Sequence, residues 1–447
     1  MGSVAVALRE RGFKVSGSDE NVYPPMSTFL EEHGVKLRSG YAEKNIPADA
    51  DLIVIGNAMK RGNPEVEAVL NQKLFYLSLP EVLKNYFLRG KHNLVVTGTH
   101  GKTTTTSLLT WILEKAGRKP GYLIGGIPKN LGEGARLNDS QYFVIEGDEY
   151  DSAFFDKRSK FVHYLPELVI VNNIEFDHAD IFRNLDEIKT SFRHLLRIVP
   201  QNGMVLLNGD DRNCVEVAKD CFAQMVEVGF SKNCAQRIRD VAYSADGSRF
   251  NIGDGVYEIP LVGEFNVRNA AMAAAAARFY DVPKAKIENA LKTFSGIARR
   301  QELRGEARGV KVIDDFGHHP SAIGQTLDAL RQRYHDNRLW AIFEPRSNTT
   351  RRAVFQHDLP AALKHADGVF IAQVARLEQI PEAERLHPEQ VVKEISADGR
   401  PAFYEKNADA IVERIVPLLK KEDVVVVFSN GGFDNIHEKL LTRLRKR

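Results

Sequence analysis

The run Leu94-Val95-Val96-Thr97-Gly98-Thr99-His100-Gly101-Lys102-Thr103-Thr104 holds the residues best suited to chemistry. An apolar strand leads into a Gly-containing turn. A lysine and a row of hydroxyls follow, then the apolar positions Leu108, Leu109, Ile112 and Leu113 of a helix. Glycines let backbone N–H groups face a phosphate, and the start of a helix adds a favourable dipole. Gly98, Thr99, His100, Gly101, Lys102, Thr103 and Thr104 therefore read as a nucleotide-binding loop. Lys102 would neutralise phosphate oxygens, and Thr103 would offer its hydroxyl to Mg²⁺. The spacing departs from the common pattern, which would place its first glycine at Val96. A tight strand-to-helix turn with an exposed lysine is the competing reading.

Other clusters follow apolar strands, where an open parallel sheet presents its loops. Glu146-Gly147-Asp148-Glu149-Tyr150-Asp151 comes after Tyr142–Ile145. A carboxylate at that strand end, Glu146 above all, is placed to hold Mg²⁺ beside a phosphate loop. Asn172-Asn173-Ile174-Glu175-Phe176-Asp177-His178-Ala179-Asp180 comes after Val169–Val171. His178 reads as a metal ligand, a charge relay or a satisfied structural histidine. Asp314-Asp315-Phe316-Gly317-His318-His319-Pro320 offers carboxylates for ribose hydroxyls. Adjacent histidines in a strand point to opposite faces, so one ion shared by His318 and His319 is not expected. Glu344-Pro345-Arg346-Ser347-Asn348 ends another strand with an arginine able to grip a carboxylate, or with a plain N-cap loop. Arg299-Arg300 could reach phosphate from a domain junction or form interdomain ion pairs.

The elements that position these groups alternate apolar runs with helical stretches, which argues for parallel α/β structure. Three segments differ in texture: residues 1–88, 89–296 and 297–447. The middle one carries the phosphate loop, then β-hairpins between Arg237 and Asn266, then an Ala-rich helix from Ala270 to Phe279 whose small side chains allow close packing. The chain opens on a helix, Ser3 to Arg11, and then a strand, where a doubly wound sheet would open on a strand and Gly-rich loop. A further stretch of about 15–20 residues upstream is therefore expected.

At 447 residues the chain is long enough for several domains. Its net charge of +2 gives no field that would draw nucleic acid or an anionic membrane. No apolar stretch is long enough to span a bilayer. The three cysteines, Cys214, Cys221 and Cys234, lack metal-type spacing and read as reduced thiols of a cytoplasmic protein.

Together these motifs resemble the Mur ligase family of ATP-dependent amide-forming enzymes of bacterial cell-wall synthesis. The loop Thr97–Thr105, with its short spacing, matches that family's loop. Arg268-Asn269, Arg299-Arg300 and Asp314–Pro320 fall in family order. The resemblance covers essentially the whole chain. It implies three α/β domains: a Rossmann-like UDP-sugar domain (1–88), a central P-loop ATPase domain (89–296) and a Rossmann-like C-terminal domain (297–447). Asp148–Lys160, Glu344–Thr349 and Ser429–Phe433 resemble the branch that joins UDP-N-acetylmuramate to the murein tripeptide L-alanyl-γ-D-glutamyl-meso-diaminopimelate. The alternative is the branch that adds L-alanine to the same donor.

The resemblance and the site chemistry together give residue roles. Lys102, Glu146 and His178 would be catalytic. Thr103, Glu146 and His178 would hold Mg²⁺. ATP would meet Gly98–Thr104, with adenine at Asn269, phosphate at Arg300 and ribose at Asp315. Ser18 and Asp19 would approach the uridine, and Arg346 with Asn348 would read the tripeptide. A monomer with no nucleic-acid or membrane partner is implied. Some family members bridge metals with a carbamylated lysine. That position falls on Phe192 or Arg193 here, with Lys189 a helical turn earlier, so no carbamylated lysine is expected.

Overall fold

Leu94, Val95, Val96, Val144, Ile145, Val169 and Ile170 are all fully buried. Uninterrupted apolar runs of this kind make strands covered on both faces, as in parallel sheets with helices on either side. The computed structural model bears this out and describes every residue except Pro24, Pro25, Ala375 and Arg376.

The N-terminal domain holds β1 (Ser16–Asp19), β2 (Lys36–Ser39), β3 (Ile53–Ile55) and β4 (Tyr76–Ser78). They form two separate parallel pairs, β1 with β2 and β3 with β4. The pairing is parallel as expected, but the doubly wound sheet is split among the described residues. β1 reads Ser-Gly-Ser-Asp and is largely exposed, so it offers no apolar face to draw it against β3.

The central domain is built on a ten-stranded sheet. Its strands are β5 (His92–Thr97), β6 (Gly121–Leu123), β7 (Ala135–Arg136), β8 (Tyr142–Gly147), β9 (Leu168–Val171), β10 (Met204–Asn208) and β11 (Gln224–Gly229), then β12 (Gln236–Ser244), β13 (Gly247–Ile252) and β14 (Gly255–Ile259). The order is β14-β13-β12-β11-β10-β9-β5-β8-β6-β7. β5 lies between β8 and β9 and runs parallel to both, so Val96 stands level with Glu146 and with Ile170. Three chemistry-bearing loops therefore leave the same sheet edge side by side. The expected hairpins are the antiparallel ladder β12-β13-β14. Helix Lys102–Lys115 packs into one core with helix Glu264–Phe279, whose Ala270, Ala271, Ala273, Ala274 and Ala277 are fully buried.

The C-terminal domain holds β15 (Glu302–Ala307), β16 (Val310–Asp315), β17 (Leu339–Phe343), β18 (Gly368–Ala372), β19 (Ala402–Glu405) and β20 (Val424–Phe428). The order is β15-β16-β20-β17-β18-β19, with only β15 antiparallel. Asp315, Phe428 and Phe343 are in register. The segments after β16, β17 and β20 thus meet at one edge. Every residue of β20 is buried, and each such valine contributes roughly 1.5–3 kcal/mol by leaving water. No helix among the described residues is long and apolar enough to cross a membrane.

Candidate functional site

Gly98 has φ +128° and Gly101 has φ +80°, a backbone region that L side chains rarely adopt. A Cβ at Gly98 would fall 3.0 Å from the backbone N and O of Asn173. The loop is strapped to that neighbouring segment. Thr99 N donates to Asn173 O (3.0 Å) and His100 N to Asn173 Oδ1 (2.7 Å). Glu175 N donates to Thr99 Oγ1 (2.8 Å), and Asn172 Nδ2 to Thr105 Oγ1 (3.1 Å). The helix starts at Lys102, so its first N–H groups lack intrahelical acceptors and remain for an anion.

Lys102 is not the exposed lysine of a plain turn. Its side chain is 17% exposed, and Nζ donates to Gly98 O at 2.6 Å and to Glu149 Oε2 at 2.9 Å. Burial disfavours the ammonium, yet Glu149, Asp148 and Glu146 raise its pKa overall. Glu149 is the functional residue that the sequence reading passed over. It is 3% exposed and also reaches His178, whose Nε2 lies 2.8 Å from Glu149 Oε1. Burial opposes its charge, but Lys102 and His178 hold its pKa at about 2. In turn, the Glu149 carboxylate raises the pKa of His178 against the effect of burial. His178, at φ +56°, packs its ring against Tyr150 at 4.2 Å between centroids.

Thr103 Oγ1 donates to Glu146 Oε2 at 3.2 Å, and Gly125 N donates to Glu146 Oε1 at 2.7 Å. Burial raises the pKa of Glu146 despite those donors and Lys102. A hydroxyl and a carboxylate converging at a phosphate loop are the hard oxygen donors Mg²⁺ prefers, so these residues fit that ion. His178 has its Nε2 turned to Glu149, an arrangement nearer the relay reading.

A cavity of about 590 Å³ joins these groups to all three domains. Its walls include Asn57 and Leu79, the phosphate loop, Phe265 and Asn269, and Arg300 with Asp315–His319. Asn269 sits against the loop, so a Cβ at Gly101 would fall 2.6 Å from its Oδ1. Its Nδ2 is buried without a hydrogen bond among the described residues. Asp315 accepts N–H bonds from Gln301 (2.9 Å) and Gly317 (2.7 Å). Burial raises its pKa, with Arg300 opposing. The Arg300 guanidinium lies 5.0 Å from the Phe316 ring centroid.

The central and C-terminal domains meet along Glu175–Asp180. Ser321 Oγ donates to Glu175 Oε2 at 2.5 Å, and Ala179 N to Thr349 Oγ1 at 3.3 Å. His318 and His319 lie in the loop after β16 and not in a strand, and they diverge to Asp177 (3.8 Å) and Glu175 (3.6 Å). The stretch Asp148–Lys160 reaches the N-terminal domain: Phe154 packs beside Ile55, Val66 and Val69, and Phe155 meets Tyr76 at 4.9 Å.

Five assigned residues do not line the cavity: Gly98, at the foot of the loop, and Ser18, Asp19, Arg346 and Asn348. Ser18 Oγ donates to Glu65 Oε2 (2.5 Å), and Asp19 Oδ1 accepts from Asn21 N (3.0 Å). Arg346 packs on Gly431, with Glu344 Oε1 at 3.6 Å. Asn348 Nδ2 donates to Asp180 Oδ2 (2.8 Å), close to His178 in the chain. Lys189 pairs with Glu216 at 2.8 Å.

Three family descriptions match in chain order: "Mur ligase family, catalytic domain" over residues 1–90, "Mur ligase middle domain" over 96–277 and "Mur ligase, glutamate ligase domain" over 299–431. The chain is 45% identical to the UDP-N-acetylmuramate–L-alanyl-γ-D-glutamyl-meso-2,6-diaminoheptandioate ligase of Escherichia coli K12, covering 100% of this chain and 96% of that protein. The chain belongs to the Mur ligase family. A murein peptide ligase from Psychrobacter arcticus is a solved structure like this Mur ligase, with a TM-score of 0.73 and 36% identity over 100% of this chain and 97% of that one. The UDP-N-acetylmuramate–L-alanine ligase of Acetivibrio thermocellus is 31% identical over 99% of this Mur ligase and 93% of its own length.

Proposed function

We propose that this Mur ligase is the ATP-dependent enzyme that joins UDP-N-acetylmuramate to L-alanyl-γ-D-glutamyl-meso-diaminopimelate, in peptidoglycan recycling. The observation that carries the reading is its 45% identity, over the whole chain, to a ligase named for that tripeptide, against 31% to one named for L-alanine. The residue pattern of Asp148–Lys160 points the same way.

A carboxylate is a poor electrophile, so an amide bond to an amine requires activation. The muramate carboxylate takes the γ-phosphoryl group of ATP, giving an acyl phosphate and ADP. The tripeptide's free amine then attacks the carbonyl carbon and phosphate leaves. Positioning and electrostatics carry phosphoryl transfer. Lys102 and the first N–H groups of its helix bind the phosphates. Glu149 keeps Lys102 and His178 beside the transferring group. Arg300 adds positive charge, Asn269 and Asp315 orient the nucleoside, and Ser18 with Asp19 faces the uridine. Thr103 and Glu146 would hold Mg²⁺, which would neutralise charge on the phosphates, while His178, turned to Glu149, serves as the relay. Arg346 and Asn348 read the tripeptide. Closure of the last domain keeps water from the acyl phosphate.

We place the domain boundaries near 89 and 297. Free thiols at Cys214, Cys221 and Cys234 and nucleotide substrates suit a cytoplasmic enzyme, and we expect a monomer. The test is incubation with Mg-ATP and UDP-N-acetylmuramate, with either L-alanine or the tripeptide, and products read by mass. A UDP-muramoyl-tripeptide is expected. Product with L-alanine alone would assign the other branch. ATP hydrolysis that ignores the UDP-sugar would mark a conformational switch instead of a ligase.

A further inference from the structure

At the joint between the central and C-terminal domains three side chains converge: His100 from the phosphate loop, Glu175 from the segment after β9, and His319 ahead of helix Pro320–Arg333. One donor atom of each lies within 4.8 Å of the other two. His100 Nε2 is 3.7 Å and His319 Nδ1 is 3.6 Å from the same oxygen, Glu175 Oε2. The two imidazole rings stand 4.5 Å apart between centroids, tilted by 51°. His100 Nε2 is buried and makes no hydrogen bond among the described residues.

We propose that His100, Glu175 and His319 form a binding site for a zinc-type dication that clasps the phosphate loop to the C-terminal domain. Zn²⁺ takes imidazole nitrogen and carboxylate oxygen tetrahedrally at about 2.0–2.2 Å, which separates neighbouring donors by about 3.4 Å. The Glu175 pairs need to close by only a few tenths of an ångström. The tautomer suits a ligand. His319 Nδ1 accepts the Ser321 N–H (3.2 Å), so the ring proton is on Nε2, which donates to Phe176 O (3.2 Å). A metal-bound histidine characteristically gives its other N–H to a backbone carbonyl or carboxylate in this way. Binding would displace the long Ser321 N–H contact and keep the Ser321 Oγ bond to Glu175 (2.5 Å).

Two imidazoles and one carboxylate leave a fourth position for water. This donor set suits Zn²⁺ or Co²⁺ and is poor for Mg²⁺, which demands octahedral oxygen coordination. The site is thus distinct in chemistry from the Thr103–Glu146 pair. An occupant would pin His100 and oppose separation of the two domains.

The test is titration of nucleotide-free protein, in excess Mg²⁺, with Zn²⁺ in competition with a chromophoric chelator, and with Co²⁺ followed by visible absorption. One Zn²⁺ per chain and tetrahedral Co²⁺ bands are expected. Glu175→Gln and His319→Gln should each weaken Zn²⁺ binding by at least about tenfold, with melting temperatures showing that both variants fold. The unaltered protein's Co²⁺ spectrum decides the question should either variant fail to fold. Affinity no better than millimolar, an octahedral Co²⁺ spectrum, or loss in only one folded variant or neither would overturn the site.

Discussion

The Lys102 ammonium lies 2.9 Å from Glu149 Oε2, while the other oxygen of that carboxylate sits 2.8 Å from His178 Nε2. One buried acid thus anchors two side chains that reach it from different loops. Glu149→Gln keeps the shape and removes the charge. We expect kcat to fall by about tenfold to a hundredfold, the range for losing a group that orients others at a metal or phosphate site. Glu149→Asp should recover part of that loss. Steady-state kinetics with a melting curve checks it, and an unchanged kcat in a folded Gln variant would remove Glu149 from the scheme.

Lys102→Ala should abolish measurable turnover while the fold survives, because Glu149 keeps His178 as a partner. Loss of one aimed donor costs about 10²–10³ in kcat, and Lys102 brings a full charge as well. Circular dichroism paired with a phosphate-release assay distinguishes this from misfolding. Near-normal turnover would break the proposed mechanism.

Arg346→Ala addresses the amine substrate. Its side chain is 51% exposed, and its acid neighbour Glu344 is 3.6 Å away, so the guanidinium can turn to a carboxylate. A charge-assisted bond of roughly 1.5–3 kcal/mol corresponds to a rise of about ten- to a hundredfold in tripeptide KM. The KM for ATP should hardly move. Equal losses for both substrates would show that Arg346 does not read the amine side.

The loop, the strands around it and the Ala-rich helix were legible because glycine positions and apolar runs are local signals. The run Glu146–Asp151 was legible only as acidic. Which carboxylate turns inward depends on the path of the chain after β8, and the pairing of Lys102 with Glu149 spans distant segments. Asn172 and Asn173 stood in the motif without a role, since their strap on the loop exists only once β9 lies beside β5. The Asn348 amide donates to Asp180, a contact between domains that no spacing reveals. The split of the first domain's sheet was not legible because strand pairing is set by neighbours distant in the chain, although the polar run of β1 is itself a local signal.

Asn173→Ala tests the strap. It removes the acceptor for His100 N–H (2.7 Å) and the amide donor to His100 O (3.2 Å). Leaving a backbone donor without its partner costs about 1–3 kcal/mol. The loop then spends more time away from its phosphate-binding shape, so ATP affinity should fall while UDP-sugar affinity holds. Calorimetric titration with each ligand reads this directly, and an unchanged ATP affinity would show that the loop keeps its shape without the Asn173 side chain.

His163 gives a stability effect with a definite sign. Burial pushes its pKa below the ordinary value, with Asp156 Oδ2, 2.8 Å from Nε2, opposing. Below about pH 6.5 the unfolded chain takes up a proton that the folded chain still refuses. The unfolded state then binds more protons, so this contribution is complete above the ordinary value and is lost as pH falls through the window beneath it. His163→Gln should flatten that part of the curve. Urea unfolding at about pH 5 and about pH 7.5 is the measurement. The parent should lose more stability on acidification than the variant, and parallel losses would mean that His163 titrates alike in both states.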